Sequence, residues 1–487
     1  MEPHITAGRR EWLGLAVLAL PCLLYSMDLT VLLLALPSLT RELDPSGSEL
    51  LWITDVYGFL LAGLLITMGR VGDRIGRRRL LMIGAAAFGA ASVLAAFAPT
   101  AGWLIAARGL LGITGATLAP STLALIRTLF DDPRQRAFAI GVWVTSFSVG
   151  AALGPLLGGV MLELWWWGSV FLLAVPVMAL LLVVGPRLLP ESRDPEPGLF
   201  DLPGAALSIV AVLAGVYGLK RVAVEGPEAA AFAALAVAAL AAVAFVRRQR
   251  VASDPVVDLA LFRRPALNAA LAANTAGIFV VGGIDLFVAQ HLQLVLGMGP
   301  LEAGLWTVPP AGAFVVGSLL APRLAAATDT RAAISGGLAL AAAGLLALTF
   351  VGAGTPPALL MAAVTGMSLG VAPVITLATD AIVATAPPAR AGAASALSET
   401  GTELGGALGI AVLGSIGAAV YGARMGDGKT LAAAVDAAGT LPAAAGDAFA
   451  AGLQTAAGVA AVGVAVLALV VARTTFHVSK NCEVCMS

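Results

Sequence analysis

The sequence predicts an all-α membrane protein: two six-helix bundles with a two-helix hairpin inserted between them, 14 transmembrane helices in all. Three observations lead there. Of 487 residues, 59% are hydrophobic and only 12% charged, with a mean hydropathy of +0.94. A soluble chain carries about twice that charge fraction, so this much apolar surface has to be hidden in lipid. Second, apolar runs of about 20 residues, the length that crosses roughly 30 Å of hydrocarbon, recur near 12–39, 51–69, 79–98, 102–129, 137–162, 165–186, 203–220, 229–246, 267–295, 302–324, 332–352, 356–384, 392–421 and 449–473. Third, the basic residues sort by loop. If the N-terminus is cytoplasmic, Arg41, Lys220, Arg221, Arg424 and Lys429 lie outside, Arg108 lies within a span, and the other 22 of the 28 Lys and Arg lie inside. That split obeys the positive-inside rule, and the inverse orientation breaks it at nearly every loop.

Composition also excludes. A net charge of −1 sets up no field that gathers nucleic acid. No Walker-type loop is present, so no nucleotide or other cofactor is expected. Cys22 lies in an apolar run, and Cys482 and Cys485 at the tail have no second pair beside them, which makes a disulfide framework or a metal site unexpected. No nucleophile–base constellation marks a water-facing loop, so the chain does not read as an enzyme. The first apolar run is longer than a signal-peptide core and contains Asp28, so it reads as a retained helix.

Two Pro- and charge-rich connections, 186–203 and 247–265, bracket a pair of Ala-rich spans without an embedded acid. The expected division is a first bundle over 1–190, linker and hairpin over 191–265, a second bundle over 266–475 and a cytoplasmic tail over 476–487. A weak internal echo lays the segment from Arg136 over that from Arg390. Parallel halves of this kind place a substrate site between them near mid-membrane. Trp165, Trp166 and Trp167 read as an interfacial belt.

Several segments carry finer signals. The loop Gly69-Arg-Val-Gly72-Asp73-Arg74-Ile-Gly76-Arg77-Arg78-Arg79 combines glycines that allow close helix approach with an acid among arginines that can lock helix ends by charged hydrogen bonds. The run Gly150-Ala-Ala-Leu-Gly154-Pro155-Leu-Leu-Gly158-Gly159 puts small residues on one helix face for tight packing, with a proline that removes a backbone hydrogen bond. These segments resemble the major facilitator superfamily. The first is similar to its loop signature and the second to the signature of its antiporter members. Met27-Asp28-Leu-Thr30-Val31 to Pro37, and Leu104 to Gly112 around Arg108, resemble the fourteen-helix drug:proton antiporter branch. Ser398-Glu399-Thr-Gly-Thr-Glu403 to Gly409 resembles its Qac-type quaternary-ammonium exporters. The second-half counterpart of the basic loop, Gly317 to Arg323, lacks the acid.

Charged groups within spans are costly and mark function by default. Here Asp28, Asp55, Asp285, Asp380, Glu399 and Glu403 face a single base, Arg108. Asp28, Glu399 and Glu403 are expected to couple protons, and Asp28 also reads as a partner for Arg108 in an internal ion pair. Asp285 and Asp55 are expected to meet a cation, Asp55 reading equally as a helix-start acid. Phe147, Phe287 and Trp143 offer aromatic faces to a lipophilic cation, although such residues also serve as packing. Asp380, near an inner helix end, carries the least weight.

The reading that follows is a proton-coupled antiporter in a bacterial cytoplasmic membrane, both termini inside. It exports lipophilic mono- and dicationic drugs or antiseptics by alternating access, with protons, such cations and membrane lipids as its partners. Alternatives are a dedicated exporter of one metabolite or antibiotic, and a lipid-handling or sensory protein on the same fold.

Overall fold

A computed structural model describes residues 7–473 apart from 46, 194–200, 226–227, 253–256, 258, 299, 386–390 and 426–442. The expected tail at 476–487 lies outside the described residues. Fifteen helices account for the described chain: α1 Arg9–Leu43, α2 Gly47–Ile75, α3 Arg77–Ala96, α4 Ala101–Leu129, α5 Pro133–Leu164, α6 Ala174–Leu188, α7 Leu202–Glu225, α8 Ala229–Val251, α9 Pro265–Gln290, α10 Pro300–Trp306, α11 Val308–Ala327, α12 Thr330–Leu348, α13 Pro357–Thr385, α14 Ala391–Met425 and α15 Ala443–Arg473. Thirteen segments are long and apolar enough to span a membrane. The 32-residue α5 is also long enough for a crossing.

Helix starts follow local chemistry. Thr100, Asp132 and Asp329 each accept a hydrogen bond from the third residue beyond them, capping α4, α5 and α12. The tenth crossing is broken rather than continuous. α10 and α11 meet at Thr307, just ahead of Pro309 and Pro310, which cannot donate to a preceding turn. The ninth crossing ends in a π-turn, His291–Val295. The tryptophan triplet does not act as one belt. Trp165 and Trp166 are exposed, whereas Trp167 is buried and donates its indole N–H to Glu42, because a 3-10 turn over Trp167–Leu173 swings it inward.

Two glycine seams organise the bundles. A methyl group at Gly150 would collide with the Leu23 carbonyl, and one at Gly158 with Val31. Both partners advance by eight residues, so α1 and α5 run parallel. In the second bundle Gly409 meets Phe279 and Gly417 meets Phe287, again eight for eight, so α9 and α14 run parallel too. Small residues let the backbones approach and replace side-chain burial with direct backbone packing.

The inserted hairpin α7–α8 seats on α2. Phe59, Ala62, Gly63 and Ile66 are spaced as one helix face, and they receive Tyr217, Val212, Val216, Leu213, Val257 and Phe245. α7 also touches α14 of the second bundle. At the hairpin's base, buried Asp201 accepts hydrogen bonds from the Gly204 amide, Arg248 Nε and Gln249 Nε2, while Gln249 Oε1 accepts from the Val257 amide. Burial alone would raise the Asp201 pKa, but these hydrogen bonds outweigh it and hold the carboxyl below the ordinary aspartate value.

Candidate functional site

The halves close against each other at the face where α1 begins. Asp73, at the end of α2, accepts Nε and Nη2 of Arg77 at 3.0 and 2.6 Å. The same carboxylate accepts the amides of Gly392 and Ala393 at 3.0 and 3.1 Å. Those amides belong to the first turn of α14, where helix N–H groups have no partner of their own helix and carry partial positive charge. Asp73 thus caps a helix of the opposite half. Gly69 makes the approach possible, since a Cβ there would lie 2.6 Å from the Gly392 carbonyl oxygen and from Ala396 Cβ. Gly76 begins α3 at φ 105, a left-handed backbone that suits glycine. Arg74 is exposed beside this lock.

The other corner closes differently. Arg136 of α5 donates Nε to Asp380 of α13 at 2.5 Å, and a Cβ at Gly141 would lie 2.7 Å from the Ser318 carbonyl of α11. Asp380, the acid given least weight from sequence, is a cross-half partner at the corner where the second basic loop lacks an acid.

Deeper in, Asp28 of α1 receives Arg108 Nη1 at 2.5 Å, and Arg108 Nε donates to the Ile53 carbonyl at 3.1 Å. The guanidinium carbon stands 4.7 Å from the Tyr57 ring centroid, and the arginine is fully buried. Arg108 thus pairs with Asp28, the partner the sequence offered only as an alternative to a proton-coupling role for that acid. Glu399 and Glu403, one turn apart on α14, face the first bundle. Glu403 accepts the Tyr25 hydroxyl at 2.6 Å. Glu399 is buried at 7% exposure and lies within electrostatic reach of Cys22 and Tyr25.

Opposite these acids is an aromatic wall. Tyr25 packs edge-on against Phe147 at 5.7 Å, and Phe147 edge-on against Trp143 at 4.8 Å. Trp143 donates its indole N–H to Thr122. Tyr25, Tyr57 and Phe147 line a small cavity with Pro21, Cys22 and Phe88. Trp143 is buried behind Phe147 and braces it.

Asp285, in the later half of α9, combines two properties. It is solvent-accessible yet surrounded by protein mass, the arrangement of a side chain set in a cleft. Phe287, two residues on, is packed against Gly417 and Phe449 inside the second bundle, away from the aromatic wall. The side chains of Asp55 and Pro155 lie outside the described residues. Gly154 is buried with Gly150 and Gly158, while a Cβ at Gly159 would meet nothing within 4 Å. Tyr25 and Tyr57 escaped the sequence reading. Their only signal was a tyrosine in an apolar run, and the chain has just four tyrosines.

The sequence profile of the Major Facilitator Superfamily matches residues 18–410. The chain belongs to the Major Facilitator Superfamily. This facilitator is 46% identical to "Multidrug efflux pump LfrA" of Mycolicibacterium smegmatis over 85% of its own length and 82% of that protein's. It is 38% identical to "Methyl viologen resistance protein SmvA" of Salmonella typhimurium, covering 83% and 82% of the two chains. It is 35% identical to "Puromycin resistance protein pur8" of Streptomyces alboniger, covering 88% and 86%. Its fold matches that of the human organic anion transporter MFSD10 with a TM-score of 0.66 at 16% identity, over 95% of this facilitator and 99% of that chain. Membership makes the facilitator a multi-pass membrane transporter rather than an enzyme.

Proposed function

We propose that this facilitator exports lipophilic organic cations across a bacterial cytoplasmic membrane in exchange for protons, by alternating access, with both termini cytoplasmic and the bundles divided as 1–190, 191–265 and 266–475. One observation carries the reading. Two carboxylates one turn apart, Glu399 and Glu403, face an aromatic wall across the interface between the halves. Carboxylate charge and aromatic faces are what a lipophilic cation needs in order to leave water. The same carboxylates take protons, so the two cargoes compete for one place.

The acids then divide the work. Asp28, neutralised by Arg108, serves as the proton-coupling group of the first bundle. When a proton occupies it, Arg108 loses its partner and the buried charges must rearrange. Asp285, accessible within its cleft, meets cation or proton on the way through. Asp55 would join it on the cation path. Each proton that crosses 100 mV carries about 2.3 kcal/mol, so two are enough to drive substantial accumulation. The positive-inside count supports cytoplasmic termini, and the relatives named for multidrug efflux and methyl viologen resistance support an exported organic cation.

The test is substrate-induced proton release from the purified protein in liposomes, comparing wild type with Asp28→Asn, Asp285→Asn and Glu399→Gln. Release is expected from wild type and is expected to fall at least tenfold in Glu399→Gln. Unchanged exchange in all three variants overturns the mechanism. A second reading, a dedicated antibiotic exporter, is favoured by the relatives named for puromycin resistance and for tetracenomycin C resistance and export. A susceptibility panel separates the two, because a dedicated exporter protects against one compound class and leaves quaternary ammonium antiseptics toxic.

A further inference from the structure

Asp73 and Arg136 join the halves at one face, whereas the Tyr25–Glu403 hydrogen bond joins them at the depth of the acids. It links α1 to α14 across 378 residues of sequence. We propose that Tyr25 is the positioning residue for Glu403, and that its hydroxyl makes the charge on that carboxylate a condition for keeping the middle of the interface closed. The proposal rests on the exchange reading above and assigns different roles to two acids that the sequence presents as a pair.

Geometry carries it. Tyr25 is not a mobile phenol. Its ring is held between Tyr57, at 6.0 Å, and Phe147, at 5.7 Å, and Phe147 is in turn held by Trp143, which is fixed through Thr122 to the interior of the first bundle. Thr122 also meets Cys22, one helical turn before Tyr25 on α1. The hydroxyl is therefore delivered by a braced stack belonging wholly to the first half, and the acceptor belongs wholly to the second. Separation of the halves at this depth breaks the bond, since donor and acceptor lie on opposite sides of the interface.

The chemistry supplies the switch. A hydroxyl donating to an ionised carboxylate makes a charge-assisted bond about twice as strong as one to a neutral acceptor. A proton arriving on Glu403, or a cation drawing its charge away, weakens the link from Tyr25 and releases the middle of the interface. Glu399 lies one turn closer to the closed face, and it is the acid free to hold cargo. Among the described residues, the charged and titratable groups that act on this bond or on its neighbours are Glu399 on α14, Tyr57 on α2, Cys22 and Asp28 on α1, and Arg108 on α4. Asp28 and Arg108 are committed to each other.

The experiment is a double-mutant cycle on the full-length protein in liposomes, with tetraphenylphosphonium as the probe cation. Equilibrium binding and maximal exchange rate are measured for Tyr25→Phe, Glu403→Gln, Glu399→Gln and the doubles Tyr25→Phe/Glu403→Gln and Tyr25→Phe/Glu399→Gln. Tyr25→Phe keeps the ring and its packing, so its thermal melting should match wild type, its probe affinity should stay within about twofold, and its maximal rate should fall about tenfold. The double with Glu403→Gln should be no slower than its slower parent, whereas the double with Glu399→Gln should show the product of the two losses. Independent losses at Tyr25 and Glu403, or a Tyr25→Phe defect that lies in affinity with the maximal rate intact, overturn the proposal.

Spin labels at exposed Arg79 and Ala326, near the closed ends of the two halves, give a second readout that needs no transport. Tyr25→Phe and Glu403→Gln should each enlarge the separated population, and combining them should enlarge it no further. A wild type that releases no protons on cation addition refutes the exchange reading, while the label distances still decide whether Tyr25 acts through Glu403. Unchanged distances in both single variants sink the positioning role.

Discussion

The first helices of the two halves, α1 and α9, are built alike and charged differently. Each lies parallel to a partner across a glycine seam, α1 on α5 and α9 on α14, with contacts that repeat every eight residues on both sides. Each carries one aspartate beyond its midpoint. Asp28 is matched by Arg108, a fully buried guanidinium that also reaches the Ile53 carbonyl and the Tyr57 ring. Asp285 faces a cleft and has no hydrogen bond or ion pair among the described residues. The difference teaches that backbone packing is what the two halves share, while charge is where they part company. One half keeps an internal, compensated pair, and the other an accessible carboxylate with no partner among the described residues.

The sharpest way to break this comparison is to remove the compensation. Arg108→Ala strands Asp28 inside the first bundle, and loss of one partner of a buried pair costs about 3–5 kcal/mol. A large fall in thermal melting in detergent is expected, along with poor yield. Asp285→Asn should leave melting within about 0.5 kcal/mol of wild type, as substitutions away from packed features do. Equal destabilisation by the two changes would mean that Asp285 is structurally compensated after all.

The seams should respond alike where the acids do not. Gly150→Leu and Gly409→Leu each force a side chain into an opposing backbone carbonyl, and overpacking of this kind typically costs about 1–3 kcal/mol. Comparable drops in melting would support equivalent seams. A loss at one with none at the other would show that the two pairs of helices do not bear the same load.

The smallest effect is expected outside both seams, at the hairpin base. The hydrogen bonds that lower the Asp201 pKa favour its ionised form in the folded protein. Their contribution is therefore present above the unfolded aspartate value, near 3.8, and is lost as pH falls through the still lower folded value. Asp201→Asn should raise protease sensitivity at the base of the hairpin at neutral pH. Wild type should become comparably sensitive there only in strong acid. If wild type loosens already between pH 6 and pH 5, the clamp is not what holds this end.

The lock between the halves was partly legible in advance. Gly69, Asp73, Gly76 and Arg77 declare themselves through spacing, because a tight approach needs glycine and a charged lock needs an acid beside a base. Charge counting said that Arg108, one buried base among several acids, needs a partner; that the partner is Asp28 came from the fold. Tyr25 and Asp380 were not legible. Their partners, Glu403 and Arg136, are 378 and 244 residues away, and nothing in a local apolar pattern says which face of one helix meets which face of another. Phe287 and Trp143 carried the right chemistry as aromatic candidates. The rotation of their helices sent one into the second bundle and the other behind Phe147.

By itself the sequence determined that the chain crosses a membrane many times, because apolar length is local and a bilayer reads it one segment at a time. It also determined where close approaches occur, because a missing side chain is a local fact. Tertiary structure alone decided which acids are compensated, which one is held by a tyrosine of the other half and which faces a cleft. Those depend on helix rotation and on contacts between distant segments, set by packing over the whole bundle rather than by any residue's neighbours in the chain.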